Sequence, residues 1–485
     1  MATSKWVHGV NGDFDTASNW TDGVPGIGDI AEITVGGTYT VTSSQVNTIG
    51  TLDLAKKATL DITDDFFGVS HTGALAGTID VTNLTALGLG ISLAPDTTTF
   101  KNTGTINLQS GNNAGDNAKL NISGDVTLTG NGKINMSGAD AEITQQIAAA
   151  LNNDSTIVGD GVIGAPHDSS LTFVNEAKGV VDGNTPGGLL VDTDETPVTN
   201  SGLMEATSGS GFLILTNDIT QMGNGKIKSA TSGATVLLES ANITGGQYAT
   251  VKGGILWATE GTSADNEISN PKPIDNAGII KAEGGNLLIT GSVDNTSTGA
   301  LEAGGADGAG MVTVEGAVKG GQADLVGASE LVLEGSTSAR VIVAAGSTGT
   351  INLFDPAGFT GTVAGMSQAP DASLDLENIE WDDDPTVNFN PTTHLLTVTD
   401  PVEHVTDTIK IVGTGTFSKS EAFDGSTLIS DPPGGAGNAH NAQLLAQSIA
   451  AFGVLSSSTP AHHHDTTADV ASREGLTTNS LQDHG

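Results

Sequence analysis

The sequence has no cysteine and few aromatic or basic residues. Its 485 residues include 4 Trp, 2 Tyr and 12 Phe, and only 17 Lys and Arg stand against 56 Asp and Glu. Without cysteine, disulfide bonds cannot stabilise the chain. The formal net charge of −39 repels the phosphates of nucleic acids and of anionic lipids. We therefore expect no nucleic-acid partner.

Long apolar segments are also missing. No run of 18 apolar residues occurs, so the sequence predicts no transmembrane helix and no membrane insertion. The first 30 residues contain Asp, His, Asn and Trp where a signal peptide needs an apolar stretch. The sequence therefore predicts no N-terminal signal peptide.

Glycine is abundant, with 66 residues, and it marks an internal repeat. A pattern of Gly, any residue, apolar, polar, apolar begins at Gly50, Gly77, Gly104, Gly132, Gly202, Gly225, Gly278, Gly299 and Gly349. With weaker copies, the interval from the first to the last divides into steps of about 25 residues, which is a solenoid period. We predict an all-β fold, a right-handed parallel β-helix (solenoid) of roughly twelve coils with capping segments and a flexible C-terminal tail.

Period-2 alternation assigns the two faces of each motif strand. The apolar positions should point inward, and they are Leu52, Leu54, Ile79, Val81, Ile106, Leu108, Ile134, Met136, Ile280, Ala282, Leu301 and Ala303. The polar positions between them should form one outward row, and they are Asp53, Asp80, Asn107, Asn135, Glu205, Lys228, Lys281, Glu302 and Asn352. A ladder of corner asparagines is predicted from Asn102, Asn131, Asn200, Asn224 and Asn276, which precede the motif glycines.

Composition divides the chain into four parts. Residues 1–45 are a turn-rich N-terminal cap with Trp6 and Trp20, and 46–354 are the β-helix repeats. Residues 355–433 break the repeat and form a β-rich C-terminal cap module. Residues 434–485 are predicted as a linker, a short helix at 439–455 and a disordered tail, which is also a candidate secretion signal.

Several stretches resemble secreted β-repeat proteins of rhizobia and related bacteria, described as adhesin-like or haemagglutinin-like. The resembling stretches are NGDFDTASNWTDGVPGIGDIAEI, IIKAEGGNLLITGSV, STGTINLFDPAGFTGTVAG, LDLENIEW, TIKIVGTGTF and FDGSTLISDPP. The resemblance implies a location outside the cell or on its surface, and it implies no active-site residue. Export by a one-step, type I route is predicted from the C-terminal segment, because residues 456–485 hold one basic residue, Arg473, and four acids.

No motif of a catalytic centre stands out. GDGVIG at 159–164 matches a dinucleotide fingerprint only as a string, because Ala165 and Pro166 follow where a helix must begin. Paired acids at Asp64 and Asp65 are expected to be solvated turns, although carboxylate pairs on β-helices also serve polysaccharide enzymes.

Two acidic turns are the candidate calcium sites, because Ca²⁺ takes six to eight oxygen ligands. Their residues are Asp192, Asp194, Glu195, Asp382, Asp383 and Asp384. His462, His463 and His464 are a weaker metal candidate in the tail.

These observations favour a non-enzymatic structural or adhesive protein that interacts through an elongated polar β-helix surface. The expected partner is a polysaccharide or another cell-surface or matrix component, such as that of a biofilm, or a second copy of the chain. The alternatives are a β-helix polysaccharide lyase or hydrolase, and an exported protein that serves symbiosis or defence.

Overall fold

The structure, a computed structural model, describes residues 2–431 except 92–96, 112, 114, 165–170, 195, 260–265 and 414. The side chains of 146–148 are also left out. The predicted linker, helix and tail, with the three tail histidines, lie outside the described residues. The described residues divide into two compact units, the first ending at Ile227 and the second beginning at Lys228.

The fold is a β-solenoid of parallel-stacked coils, as the sequence predicts. Helical structure in the described residues is confined to the short 3-10 turns Ala17–Asn19, Pro356–Gly358 and Met366–Gln368. No helix within those residues is long and apolar enough to cross a membrane.

The strands are short, mostly three to five residues, as expected for coils with tight corners. Strands β1 to β26 are Thr3–Lys5, Gly12–Asp13, Ile30–Ile33, Tyr39–Ser43, Asn47–Ile49, Thr51–Leu54, Ala58–Ile62, Phe66–Val69, Gly73–Leu75, Thr78–Val81, Thr85–Leu89, Thr97–Asn102, Thr105–Gln109, Ala118–Thr129, Lys133–Ser137, Ala141–Asn153, Thr156–Gly159, Gly161–Gly164, Leu171–Asn175, Val180–Asp182, Leu189–Asp192, Val198–Asn200, Leu203–Ala206, Phe212–Leu215, Ile219–Gln221 and Lys226–Ser229. Strands β27 to β49 are Thr235–Glu239, Asn242–Thr244, Gln247–Thr250, Ile255–Thr259, Asn266–Ser269, Ile274–Asn276, Ile279–Ala282, Asn286–Ile289, Val293–Asn295, Ala300–Ala303, Met311–Val314, Val318–Lys319, Gln322–Leu325, Glu330–Leu333, Arg340–Val343, Thr350–Leu353, Thr362–Ala364, Ser373–Glu380, Thr386–Asn390, Leu395–Thr399, Thr406–Val412, Ser418–Glu421 and Ser426–Ser430.

The first unit is a stack of parallel ladders. One face is built by β2, β4, β7, β10, β13, β15, β17, β20 and β23, in that order. The long strands β14 and β16 each belong to two further parallel ladders, since β14 pairs with β11 and β12 and β16 pairs with β18 and β19. Strands β14 and β16 also pair with each other over most of their length. Strand β1 already pairs in parallel with β3, so residues 1–45 contribute strands to the stack.

The second unit also contains parallel ladders, which are followed by antiparallel strand pairs. Its parallel ladders run through β27, β30, β33, β36, β39, β41 and β43, and through β28, β31, β34, β37, β40, β42 and β44. Antiparallel pairs then join β44 to β49, β48 to β49, and β45 through β46 to β47. These pairs lie in the part predicted as the C-terminal cap module.

The inward residues form continuous apolar columns. Ile79, Ile106 and Ile134 are in register on neighbouring strands, and all three are buried. Every motif residue predicted to point inward is buried, which confirms that prediction. Burying one such side chain contributes about 1.5–3 kcal/mol, so the columns supply the stability that disulfides do not.

The solenoid has about 15 coils, a few more than the twelve predicted. The prediction counted glycine motifs between Gly50 and Gly349, but parallel pairing begins at Thr3 and continues to Val412. Coils that lack the motif were therefore missed.

The predicted asparagine ladder exists, with a different membership. Asn102, Asn200 and Asn276 are buried, and each accepts a hydrogen bond at Oδ1 from the glycine N–H two residues later. Asn131 and Asn224 are exposed, so their prediction was wrong. Those two stand directly before the glycine, where this local hydrogen bond cannot form. The ladder also contains members that the motif did not indicate, Asn153, Asn175 and Asn295.

Candidate functional site

The outward residues do not form one polar row. Asp53 lies on β6, which pairs with β3 and β9, whereas Asp80 lies on β10, which pairs with β7 and β13. The glycine motif therefore marks corners before different faces of the coil. This corrects the single row predicted from the sequence and replaces it with separate ladders in each unit.

In the first unit, one outward ladder runs across β7, β10, β13 and β15. Asp61, Asp80, Asn107 and Asn135 are in register on these strands. Asn107 Nδ2 donates to Asp80 Oδ1 over 2.7 Å, and Asn135 Nδ2 donates to Asn107 Oδ1 over 2.9 Å. Burial, and then the neighbouring Asp80 carboxylate, raise the pKa of Asp61. The two acids are therefore direct neighbours on this ladder, and on its other side Asp80 is hydrogen-bonded by the amide of Asn107.

The second unit carries an outward ladder of mixed chemistry, which we call the tryptophan ladder. It consists of Trp257, Lys281, Glu302 and Asp324, in register on β30, β33, β36 and β39. Neighbouring strands lie about 4.8 Å apart, so the ladder offers one side chain per step of that length.

The indole of Trp257 is held in place by the next coil. Its Nε1–H donates to the Glu283 carbonyl oxygen over 3.2 Å, and Lys281 Nζ lies 4.1 Å from the centre of a Trp257 ring. Lys281 also forms an ion pair with the buried Glu283. Burial alone would raise the pKa of Glu283, but hydrogen bonds from Asp307 N–H and from Lys281 lower it. A fixed aromatic ring beside fixed charges is a preorganised surface for a ligand.

The two acids at the far end of the tryptophan ladder have raised pKa values. Burial raises the pKa of Glu302, against the opposing effect of Lys281. Burial also raises the pKa of Asp324. Two opposing effects lower it: Gln322 Nε2 donates to both carboxylate oxygens over 2.8 Å, and the positive charge of Arg340 favours the ionised form. These two half-buried groups can therefore accept or donate hydrogen bonds to a polar ligand.

A second group of acids lies where β44 meets the β48–β49 hairpin. Asp375 and Glu377 on β44, and Asp424 in the hairpin turn, place carboxyl oxygens within 4.8 Å of one another. Burial, followed by Asp424 and Glu330, raises the pKa of Asp375 to about 7. Burial and the neighbouring carboxylates raise the pKa of Glu377 to about 8. Carboxylates at this spacing need a proton or a cation between them.

The sequence did not indicate this group. Asp375 and Glu377 alternate with Leu374 and Leu376, which predicts a strand but not a partner. Asp424 is 47 positions beyond Glu377, and the antiparallel register that brings the two together has no signature in the sequence.

The predicted calcium residues lie elsewhere. Asp194, at a positive φ of 57°, donates its N–H to Asp192 Oδ1 over 3.0 Å, and Glu195 lies outside the described residues. Asp382 and Asp384 are exposed, and Asp384 forms an ion pair with Lys419. Burial raises the pKa of Asp383, as does its hydrogen-bond contact with Asp400. The two turns remain predicted calcium sites.

Two other predicted features have local structural roles. Asp64 and Asp65 form an exposed turn in which the N–H of Asp65 donates to Asp64 Oδ1. The string GDGVIG forms the end of β17, a corner and the whole of β18. Gly159 has φ 127°, and a Cβ there would lie 1.9 Å from Met136 O, so the corner requires glycine.

Comparison with known proteins adds no family: no family model matches the chain, and no curated protein matches it.

Proposed function

We propose that this is a non-enzymatic structural or adhesive protein of the extracellular space or cell surface, which binds a polysaccharide of a cell surface or matrix. The resemblance to adhesin-like secreted β-repeat proteins supports the location. The observation that carries the proposal is the tryptophan ladder, which sets an aromatic ring, a cation and two acids in register on one face.

The chemistry of these side chains suits sugars. An indole face packs on the C–H groups of a sugar ring, and carboxylates, amides and ammonium groups bond its hydroxyls. A step of about 4.8 Å along the ladder lets an extended polymer meet a new side chain at each coil. Many such contacts, each weak, add up to firm attachment.

The net charge selects the kind of polysaccharide. At −39 the chain repels anionic polymers, and the ladder itself contains two acids. Neutral polysaccharides and those with amino groups are therefore the expected partners.

The experiment is a pull-down of the purified full chain on insoluble cellulose and chitin, with the acidic polymer alginate as a third surface. Trp257→Ala should reduce retention on the preferred polymer by about tenfold or more, because a buried aromatic contact carries much of such binding energy. Glu302→Gln, which keeps the shape of the side chain, should reduce retention less.

Trp381→Ala is the matched control. Trp381 also has a lysine near its ring, with Lys419 Nζ 5.3 Å from the ring centre, but it lies outside the tryptophan ladder. Its replacement should leave retention unchanged. Equal loss in both tryptophan variants, or no binding by the wild-type chain to any of the three polymers, would contradict the proposal.

The alternative of a polysaccharide lyase or hydrolase is favoured by one observation. Glu302 and Asp324 are in register on adjacent strands, and both pKa values are raised. The strand spacing of about 4.8 Å is close to the separation of about 5–5.5 Å between the carboxyls of retaining glycosidases. Measuring soluble sugar release during the pull-down separates the two functions.

A further inference from the structure

The C-terminal hairpin covers a strand edge. Strand β44 pairs in parallel with β42 on one side, and β49 of the β48–β49 hairpin pairs antiparallel on the other side. An unpaired β edge is a template for pairing with another chain. The hairpin therefore occupies an edge that would otherwise accept another strand.

Acidic side chains cross this interface. Asp375 and Glu377 come from β44, and Asp424 and Ser426 come from the hairpin. Ser426 Oγ lies 2.6 Å from Asp375 Oδ1 and 2.7 Å from Asp424 Oδ1. The N–H of Ser426 also donates to Asp424 Oδ1 over 3.1 Å. Asp375 itself is buried.

These contacts require a proton on a carboxyl group. A serine hydroxyl has one hydrogen, so it can donate to only one of the two carboxyl oxygens that it contacts. The other oxygen must donate to Ser426 Oγ and must therefore be protonated. Asp375 is buried and its pKa is raised to about 7, whereas the pKa of Asp424 is lowered, so Asp375 is the donor. A second proton lies between Glu377 and Asp424, whose carboxyl groups are hydrogen-bonded to each other.

The surrounding strands add more negative charge. The negative charge of Glu330 on β40 raises the pKa values of Asp375 and Glu377. Asn352 Nδ2 on β42 donates a hydrogen bond to Glu330 Oε1 over 2.8 Å. Asn352 is in register with Asp375. If all four acids were ionised, the hairpin and β44 would repel each other across a partly buried interface.

We propose that the β48–β49 hairpin is a proton-dependent cover of the β44 edge, held closed by protons shared between its acids and those of β44. Closing requires Asp375 and Glu377 to be neutral, and opening follows their ionisation. This inference does not depend on polysaccharide binding.

The direction of the pH effect follows from the two raised pKa values, about 7 for Asp375 and about 8 for Glu377. A raised acid pKa stabilises the closed form fully below the pKa of the free group, about 4. That stabilisation is lost as the pH rises through 7 and 8. The pKa of Asp424 is lowered, so this group stays ionised and accepts hydrogen bonds throughout this pH range. Its protonation affects the closed form only at more acidic pH.

The test is amide hydrogen exchange of the full chain at pH 6, 7, 8 and 9, with EDTA present throughout. Protection is expressed relative to the pH-dependent chemical exchange rate. Protection of residues 418–430 should fall by at least about tenfold between pH 6 and pH 9, since each proton lost changes the equilibrium by up to tenfold per pH unit. Protection of β46 and β47 should stay constant.

Glu377→Gln removes one of the two titrating charges, so the hairpin should be better protected at pH 9 in this variant than in the wild-type chain. Asp424→Asn is the second variant, with the same expectation should the first fold poorly. Glu380→Gln, an exposed position on the same strand, is the control and should behave like the wild-type chain. Constant hairpin protection from pH 6 to pH 9 would overturn the proposal. So would low protection at pH 6 in EDTA that calcium restores, because a cation would then replace the proton.

Discussion

Asn175 Nδ2 donates a hydrogen bond to Oδ1 of Asn200, one coil further along the chain, over 2.9 Å. Asn153 donates to Asn175 in the same way over 3.0 Å, and Asn200 donates to Gln221 Oε1 over 3.2 Å. These side chains are buried at a corner of the coil. Each amide therefore links its own turn to the next coil.

The ladder predicts a specific loss of stability. Asn200→Ala should lower the free energy of unfolding by about 1–3 kcal/mol, because the amide of Asn175 and the N–H of Gly202 lose a buried partner. Urea unfolding followed by circular dichroism measures the loss. Asn224→Ala removes an exposed asparagine and should change the unfolding free energy little. Equal effects of the two substitutions would show that the ladder does not stabilise the stack.

The apolar column gives a second prediction. Ile106→Asp places a charge in a column between Ile79 and Ile134, where no polar partner faces it, and should unfold the first unit locally. Ile106→Val keeps the chemistry and should cost about 0.5–1.5 kcal/mol. Protection of β10, β13 and β15 against hydrogen exchange distinguishes the two. Retained protection in the aspartate variant would mean that the column is not a packed core.

Asn107 gives a third prediction, which depends on pH. Asn107→Asp removes a donor to Asp80 and adds a second negative charge beside it, so repulsion should raise the pKa of the new carboxyl group. Its destabilising effect should therefore appear as the pH rises above about 4 and should weaken with added salt. Asn131→Asp, on an exposed turn, is the control. A melting temperature of Asn107→Asp that follows the wild-type chain from pH 3 to pH 8 would refute the role of this amide.

Calcium binding at the two predicted turns is the fourth prediction. Calcium should raise the melting temperature more than sodium chloride of the same ionic strength, because a specific site adds to general screening. Asp382→Asn should reduce the difference. Identical shifts in the two salts would leave the acidic turns as solvated surface.

The sequence predicted the parts of the fold that depend on local pattern. Alternation identified the buried residues, such as Ile106 and Leu301, because each strand has one inward face. It could not assign each strand to a face of the coil. Asp53 and Asp80 occupy the same position of the glycine motif, but their strands belong to different faces.

Contacts between distant segments followed the sequence pattern only in part. Lys281 and Trp257 meet because their strands pair in one register, and Glu377 meets Asp424 through an antiparallel turn. The spacing of 24 residues between Trp257 and Lys281 is close to the repeat, whereas the spacing of 47 residues between Glu377 and Asp424 is not. Periodicity therefore indicated the outward positions of Lys281 and Glu302, but it could not predict the acid group at the hairpin.

The most direct test of the proposed function measures binding and turnover in one sample. The wild-type chain is incubated with the polysaccharide that retains it best, and bound protein and soluble sugar are followed over many hours. We predict stable retention through the tryptophan ladder with no release of sugar above the protein-free control. Sugar release that disappears in Glu302→Gln or Asp324→Asn would contradict a non-enzymatic function and establish a polysaccharide-cleaving enzyme.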